Sequence, residues 1–343
     1  MATGFSVWGA SQKQIAYAKD IIHEAIKEAY VSKYMGPGIN NVFQERSEIH
    51  KQKGDKMMFD LLIEFSASPR TGHDERTGNE EKMTMYTDDV LLDSTWHGFV
   101  KYGRLDDEYS VKNMLSEAKQ MNKQYFQNLL NEYCTKWLCG NTSLGWPESV
   151  AAHATSRIKF GGNATISTWT AGTSDIATGD YMGAREVSYI KYHTIQADPK
   201  FKPLNVEGGN YWVLFAHPRQ IFSLKQDSTF QNAQRDAFPR ASTNPLFTGA
   251  VGMWDGVIIS SNEHILTGNS NTEARAVLAG QQAAMVAMGP APLATEEHTN
   301  HMDRHAVGIE WVWGIKRSVF NSVDFGSMAL DTYAAAPAGV AHT

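Results

Sequence analysis

Tyr211-Trp212-Val213-Leu214-Phe215-Ala216-His217-Pro218 is an unbroken apolar run closed by a proline. The residue before a proline is pushed out of the α region, so the run predicts a strand buried on both faces. Pro218 can then open a helix, where its missing N–H is not needed. Ile221, Phe222 and Leu224 give that helix an apolar side. Asn244-Pro-Leu-Phe-Thr-Gly-Ala-Val-Gly-Met-Trp-Asp-Gly256 comes next, and Val257-Ile258-Ile259-Ser260 predicts a second buried strand. Strand, helical excursion, glycine-studded turn and strand form the centre of an α/β domain.

The rest of the chain is read outward from that centre. At 343 residues, with 42% apolar and 20% charged residues, the composition is that of a folded protein. A chain of this size buries roughly 75% of its unfolded surface and needs no staples. Cys134 and Cys139, the only cysteines, cannot build a disulfide framework or a four-ligand zinc site. Reduced thiols in a cytosolic setting are expected. Asn141 and Asn163 head glycosylation sequons, relevant only to a secreted chain. Met1 to Ala10 lacks a basic region before an apolar core, so no secretory leader is expected, and no apolar run approaches membrane-spanning length. The net charge of −6 argues against a dedicated nucleic-acid binder. Residues 57–110 hold 12 acidic against 5 basic residues, which leaves the remainder near neutral.

Ser11 to Met35 predicts an amphipathic helix through Ile15, Ala18, Ile22, Ala25, Ile26 and Ala29, ended by Gly36-Pro37-Gly38. Its own domain is the first place to seek cover for it, a neighbouring chain the second. Met57, Phe59, Leu61, Ile63 and Phe65 alternate with Met58, Asp60, Leu62, Glu64 and Ser66, a strand pattern. Pro69 to Lys82 contains nothing apolar, and strand composition resumes from Met83 to Gly103. This is a long hairpin with a charged tip, and an isolated hairpin is marginal in water. It either folds back on its own core or reaches onto another subunit. Ser110 to Gly140 predicts a long helix through Val111, Met114, Leu115, Ala118, Met121, Tyr125, Leu129, Tyr133 and Trp137.

Asn141 to Thr178 is a small-residue boundary or insertion, and helix returns from Tyr181 to His193. Ala274 to Met288 predicts a buried strand running into a small-residue helix. Glu296 to Arg304 predicts a polar loop, and Val307, Ile309, Trp311, Trp313 and Ile315 alternate as a strand. The tail from Tyr333 is low in complexity.

Chemical motifs are scarce. Glu296, Glu297, His298, His301 and His305 are the one metal-like cluster; the histidines could share a helical face, but no H-E-x-x-H pattern is present. Gly249 to Gly256 lacks the lysine and hydroxyl of a phosphate loop, and there is no nucleophile elbow. His217 has no partner for catalysis and reads as structural. Trp8, Trp96, Trp137, Trp311 and Trp313 fall on apolar periodicities and read as core. A chain of this size without nucleophile, nucleotide loop or metal signature suits a structural protein.

Four stretches carry a family likeness: Gly78-Asn-Glu-Glu-Lys82, Trp137-Leu-Cys-Gly140, Val213-Leu-Phe-Ala-His-Pro218, and Asn244 to Gly256. With the order of elements, they make the chain resemble the major capsid proteins of tailed bacteriophages, and in particular the branch typified by the N-four-like viruses. The resemblance implies an α+β chain with the Hong Kong 97-type fold. Its parts would be an N-terminal arm (1–56), an extended hairpin loop (57–103) and a peripheral domain (104–200) with spine helix 110–139 and insertion 141–178. An axial α/β domain (201–305), a return strand (306–330) and a tail (331–343) would complete it.

The same resemblance implies self-assembly into hexamers and pentamers of an icosahedral shell around double-stranded DNA, in the virion, after assembly in the host cytoplasm. Scaffold, portal and decoration proteins are the expected partners, DNA is touched non-specifically, and neither membrane, cofactor, metal nor catalytic residue is called for. The hairpin would overlap a neighbouring subunit, with Arg70, Asp74, Glu75, Arg76, Glu80, Glu81 and Lys82 as candidate contacts that set register. The family's type member cross-links through a lysine and an asparagine. Lys82 is the only lysine near this tip and nothing identifies its partner, so that chemistry is not implied. On this reading the ribbon and the leading helix find apolar cover only on copies of the same molecule. The alternatives are an encapsulin-like shell protein and a metal-dependent hydrolase using His298, His301 and His305.

Overall fold

The structure is a computed structural model that describes residues 10–47, 56–61, 69, 71–73, 76–78, 80, 86–101, 114–167, 174–206, 208–236, 251–299 and 304–336. In chain order its main elements are α1 (Ala10–Glu28), β1 (Phe43–Arg46), β2 (Lys56–Leu61), β3 (Tyr86–Leu91), β4 (Asp93–Lys101), α2 (Met114–Cys139) and β5 (Ile158–Phe160). Then come α3 (Ala184–Gln196), β6 (Gly209–Ala216), α4 (Pro218–Gln226), α5 (Ser228–Asp236) and β7 (Val257–Ser261). The last are β8 (Glu273–Ala279), β9 (Ala284–Met288), β10 (Leu293–Thr299), β11 (Arg304–Arg317) and β12 (Ser327–Tyr333).

The apolar run at 211–216 is the middle of an eight-stranded sheet. β6 pairs in parallel with β7, Val213 opposite Ile258, and antiparallel with β8, Leu214 opposite Leu278. A parallel pair needs a crossover, and α4 and α5 lie within it. The His217-Pro218 step works as expected: Pro218 opens α4, His217 Nδ1 accepts from Arg219 N at 3.2 Å, and Gln220 Oε1 accepts from His217 N at 3.0 Å. Both faces of the sheet are covered. Trp212, Leu214 and Ile259 pack with Val187 and Ile190 of α3, while Val213, Phe215 and Ile258 belong to a second cluster with Tyr34, Phe43 and Trp137.

A six-stranded sheet stands beside it. Its axis is β11, whose Ile309, Trp311, Trp313 and Ile315 are buried as the alternation requires. β4 pairs along one edge, Trp96 opposite Glu310; β10 and then β9 follow the other, and β1 adds to β9 in parallel. Helix α2 crosses this sheet with Phe126, Leu130, Cys134, Trp137 and Leu138 buried. Both thiols are free and enclosed.

Several expectations are corrected. Ala284 to Met288 is a strand, not a helix: it lies between two strands with both faces buried, so no polar residue marks its period. Glu296 to Thr299 belongs to β10, not to a loop, with His298 opposite His305 across the hairpin, so these two histidines share no helical face. His301 lies outside the described residues. Of the stripe expected on α2, Leu129 and Trp137 are buried, but Met121 and Tyr125 are exposed while Phe126 and Leu130 point inward. Trp96 is 62% exposed rather than core.

The chain also does not run domain by domain. β9 and β10, which the expected boundary at 305 places centrally, pair in line with β11, and β12 returns to the central sheet up to Tyr333 with Asp331 and Thr332 buried. The tail therefore starts later than 331. Of the insertion, the described part is held by two aspartates. Asp175 accepts from Thr165 N and Ile166 N, and Asp180 from Asn163 N and Ala177 N.

Candidate interaction surface

The ribbon is anchored at its root by its own chain. β2 and β3 pair with Met57 opposite Val90 and Phe59 opposite Asp88. Met57, Phe59 and Val90 bury one face against Met285 and Ala287 of β9. The ribbon crosses β11 where only a glycine fits: a Cβ at Gly314 would lie 2.0 Å from Leu91 O. Leading helix α1 likewise seats Ile21, Ile22 and Ala25 in the chain's own core. The expectation that ribbon and leading helix are covered only by other copies is therefore corrected for the ribbon's root and for α1 from Ile21 onward. The reason is geometric: β9 and α2 present apolar rows at the places where ribbon and helix pass.

Polar contacts fix the root on both sides. On one, Arg46 Nη1 donates to Met58 O at 2.9 Å, its Nη2 stands 3.6 Å from Asp60 Oδ2, and its guanidinium lies over the Phe59 ring at 5.2 Å. Gln282 Nε2 donates to Gln44 Oε1 at 2.8 Å and to Asp60 O at 3.2 Å. On the other side, Lys316 Nζ donates to Asp88 Oδ1 at 2.8 Å and to Asp89 O at 2.9 Å. Asp88 Oδ2 accepts from Val319 N, and Lys56 pairs with Asp89 at 2.7 Å. Burial works against the Lys316 charge, but Asp88, Glu148 and Asp89 outweigh it and hold its pKa above the ordinary value. Part of the acidic excess therefore stitches the ribbon to its own body.

At the tip, Arg76 and Glu80 are exposed, and Glu80 Oε2 accepts from Gly78 N at 2.7 Å, which closes the turn. Gly72 and Gly78 adopt φ of +65° and +83°, the left-handed region that suits glycine. Arg70, Asp74, Glu75, Glu81 and Lys82 lie outside the described residues. The anchors Arg46, Asp88, Gln282 and Lys316 were not singled out in sequence; of these only Asp88 carried a signal, as part of the acidic excess.

An apolar shelf lies nearby. Gly98 and Gly308 face each other across β4 and β11, and the Trp96 ring lies over both. Trp96 Nε1 donates to Thr295 Oγ1 at 3.4 Å, and Val100 and Leu293 are also exposed. On the opposite face His97 Nδ1 donates to Asn122 Oδ1 at 2.7 Å and stacks on Tyr125 at 3.9 Å.

The end of α2 is tied down by a buried charge cluster. Arg317 Nε donates to Asp324 Oδ1 at 2.6 Å and its Nη2 to Ala151 O and Ala152 O, both at 3.0 Å. His153 lies between Asp324 Oδ2 at 2.9 Å and Leu138 O at 3.0 Å. Burial, then Arg317, pushes His153 down to about 4, so the ring is neutral at pH 7. Burial would raise Asp324, but His153, protonated in the range where this carboxyl titrates, together with Arg317 and the Ala154 N–H, holds it at about 2. Arg275 and Asp331 form a second, bidentate pair at 2.7 Å. Among the described residues there is no group of three or more potential metal ligands, and no helix long and apolar enough to cross a membrane.

Comparison with known proteins places this architecture. Residues 7–336 match a family model described as phage capsid protein. The major capsid protein of Pseudomonas phage KPP25 is 22% identical, with 95% of this chain and 96% of that protein aligned. Among solved structures, the capsid of Ralstonia phage GP4 superposes with a TM-score of 0.77 at 24% identity, over 92% of this chain and 93% of that one. The capsid of cyanophage Pam1 gives 0.73 at 24% identity, over 90% and 93%.

Proposed function

The chain belongs to the phage capsid protein family, and on that premise we propose that it is the major capsid protein of a tailed phage. Its copies form the hexamers and pentamers of an icosahedral head that encloses double-stranded DNA. The observation that carries the reading is the family match across residues 7–336, which leaves little of the chain for another activity. The anchored ribbon supports it. A root held by Lys316 and Arg46 sets the direction of the arm, while Arg76 and Glu80 stand exposed at its tip.

Assembly then proceeds through many weak, geometrically repeated contacts, each raising the effective concentration of the next. Scaffold and portal proteins direct closure, decoration proteins join afterwards, and a net charge of −6 keeps the wall from gripping the packaged DNA tightly. The work is structural rather than catalytic. The hydrolase alternative is not favoured, since two of its histidines, His298 and His305, lie on facing strands of the β10–β11 hairpin. The encapsulin-like alternative is not favoured by a family match to phage capsids.

Expression of the full chain, alone and with its scaffold, followed by negative-stain microscopy, tests the proposal. Closed shells are expected. Folded chains that stay monomeric under both conditions would refute it, and shells that exclude nucleic acid in the infected cell would favour a non-viral compartment.

A further inference from the structure

Helix α3 is apolar on two sides. Its inner side, Ala184, Val187 and Ile190, packs on the central sheet. Its outer side carries Tyr189, Tyr192 and Ile195, exposed by 43%, 55% and 53%. Three-residue spacing places them in one broad stripe. Arg185 and Gln196 are exposed on the same helix, so the stripe is mixed, and in the single chain α3 packs through its inner side only.

The stripe is organised before anything binds. The His193 ring stands edge-on to Tyr189 at 4.5 Å and to Tyr192 at 5.3 Å. Rings that already hold one another lose little freedom on binding. Burial, then Lys159, lowers the His193 pKa, which disfavours an imidazolium in this cluster. Lys191, on the same helix, is engaged with Asp255 at 2.7 Å. At the helix start, Tyr181 and Phe222 line a cavity of about 550 Å³ with Met182 and Asp227, and both are also exposed.

We propose that this outer side of α3 is a contact surface buried against a second copy of the chain in the assembled shell. The inference rests on the shell-forming reading above. Half-exposed Tyr189, Tyr192 and Ile195 offer roughly 300 Å², more than a third of the ~800 Å² per partner of a standard interface. Aromatic anchors with polar tips are typical of such interfaces. Nucleic acid would call for a row of cations on the helix, and of its two, Arg185 and Lys191, the second is already paired.

Tyr192→Cys in the full chain supplies the test, because Cys134 and Cys139 are enclosed. A maleimide is expected to label the unassembled variant readily and its shells at least ~10-fold more slowly, like other groups buried at an interface. The triple variant Tyr189→Ser, Tyr192→Ser, Ile195→Gln is expected to keep the wild-type circular dichroism and melting curve while its shell yield falls several-fold. Equal labelling in free and assembled chains, or wild-type shell yield from the triple variant, overturns the proposal and hands the stripe to another partner. The wild-type control separates the two failures. If it builds no shells the functional reading falls, whereas if it builds them and the variants match it, only this surface falls.

Discussion

Lys316 Nζ lies 2.8 Å from Asp88 Oδ1, so the long strand β11 holds the returning strand of the ribbon through a largely buried ion pair. Their side chains are 20% and 11% exposed. Removing one partner strands the other. Lys316→Met is expected to cost about 2–3 kcal/mol, the usual penalty for leaving a buried charge-assisted bond unmade. Urea unfolding measures it, and hydrogen exchange at Val319, whose N–H also serves Asp88, should rise with it.

Gly314 is a point of backbone contact. An added Cβ would fall 2.0 Å from Leu91 O. Gly314→Ala must push the ribbon off β11, and a loss of about 2 kcal/mol or more is expected, at the upper range of overpacking. Gly78→Ala has open space around it and pays only for its φ of +83°, about 1 kcal/mol. Thermal melts of the two variants should rank in that order.

Phe59 is fully buried beneath Arg46. Phe59→Ala is expected to cost about 3 kcal/mol through the cavity it leaves. Because Phe59 belongs to the small cluster with Met57, Val90, Met285 and Ala287, the ribbon root should lose hydrogen-exchange protection before the central sheet does.

Acid should weaken the fold in two stages. His153 is pushed down to about 4, below its unfolded value, so the unfolded chain takes up a proton first and stability falls from about pH 6.5 towards 4. Asp324, held at about 2, contributes stability that is full above its unfolded value near 4 and is lost as pH falls through about 2. Urea midpoints measured at pH 7 and pH 4.5 should differ for the wild type, and His153→Gln should narrow the difference.

Burial raises the pKa of both thiols, Cys139 to about 11 and Cys134 further. Neither should react with a disulfide reagent in the folded chain at pH 8, and both should react at once in denaturant. Fast labelling of the native chain would contradict the packing of α2.

The sequence alone determined those elements whose burial leaves a period or a stop: the strand at 211–216 with its His217-Pro218 cap, the alternation through Trp311 and Trp313, and the length of the spine helix. It also carried the family likeness. What it could not show were choices made by neighbours distant in the chain. Ala284 to Met288 has no period because strands flank it on both sides. Trp96 leaves the core because Gly98 and Gly308 meet beneath it, a pairing visible only once β4 lies against β11. Met121 and Tyr125 keep helical spacing with buried Leu129 and Trp137 yet face outward, since the sheet beneath α2 decides how far along the helix that stripe stays covered. The ribbon's anchors were hidden for the same reason: Lys316 and Asp88 stand 228 residues apart, and opposite charges at that separation carry no signal until the fold brings them within hydrogen-bonding distance.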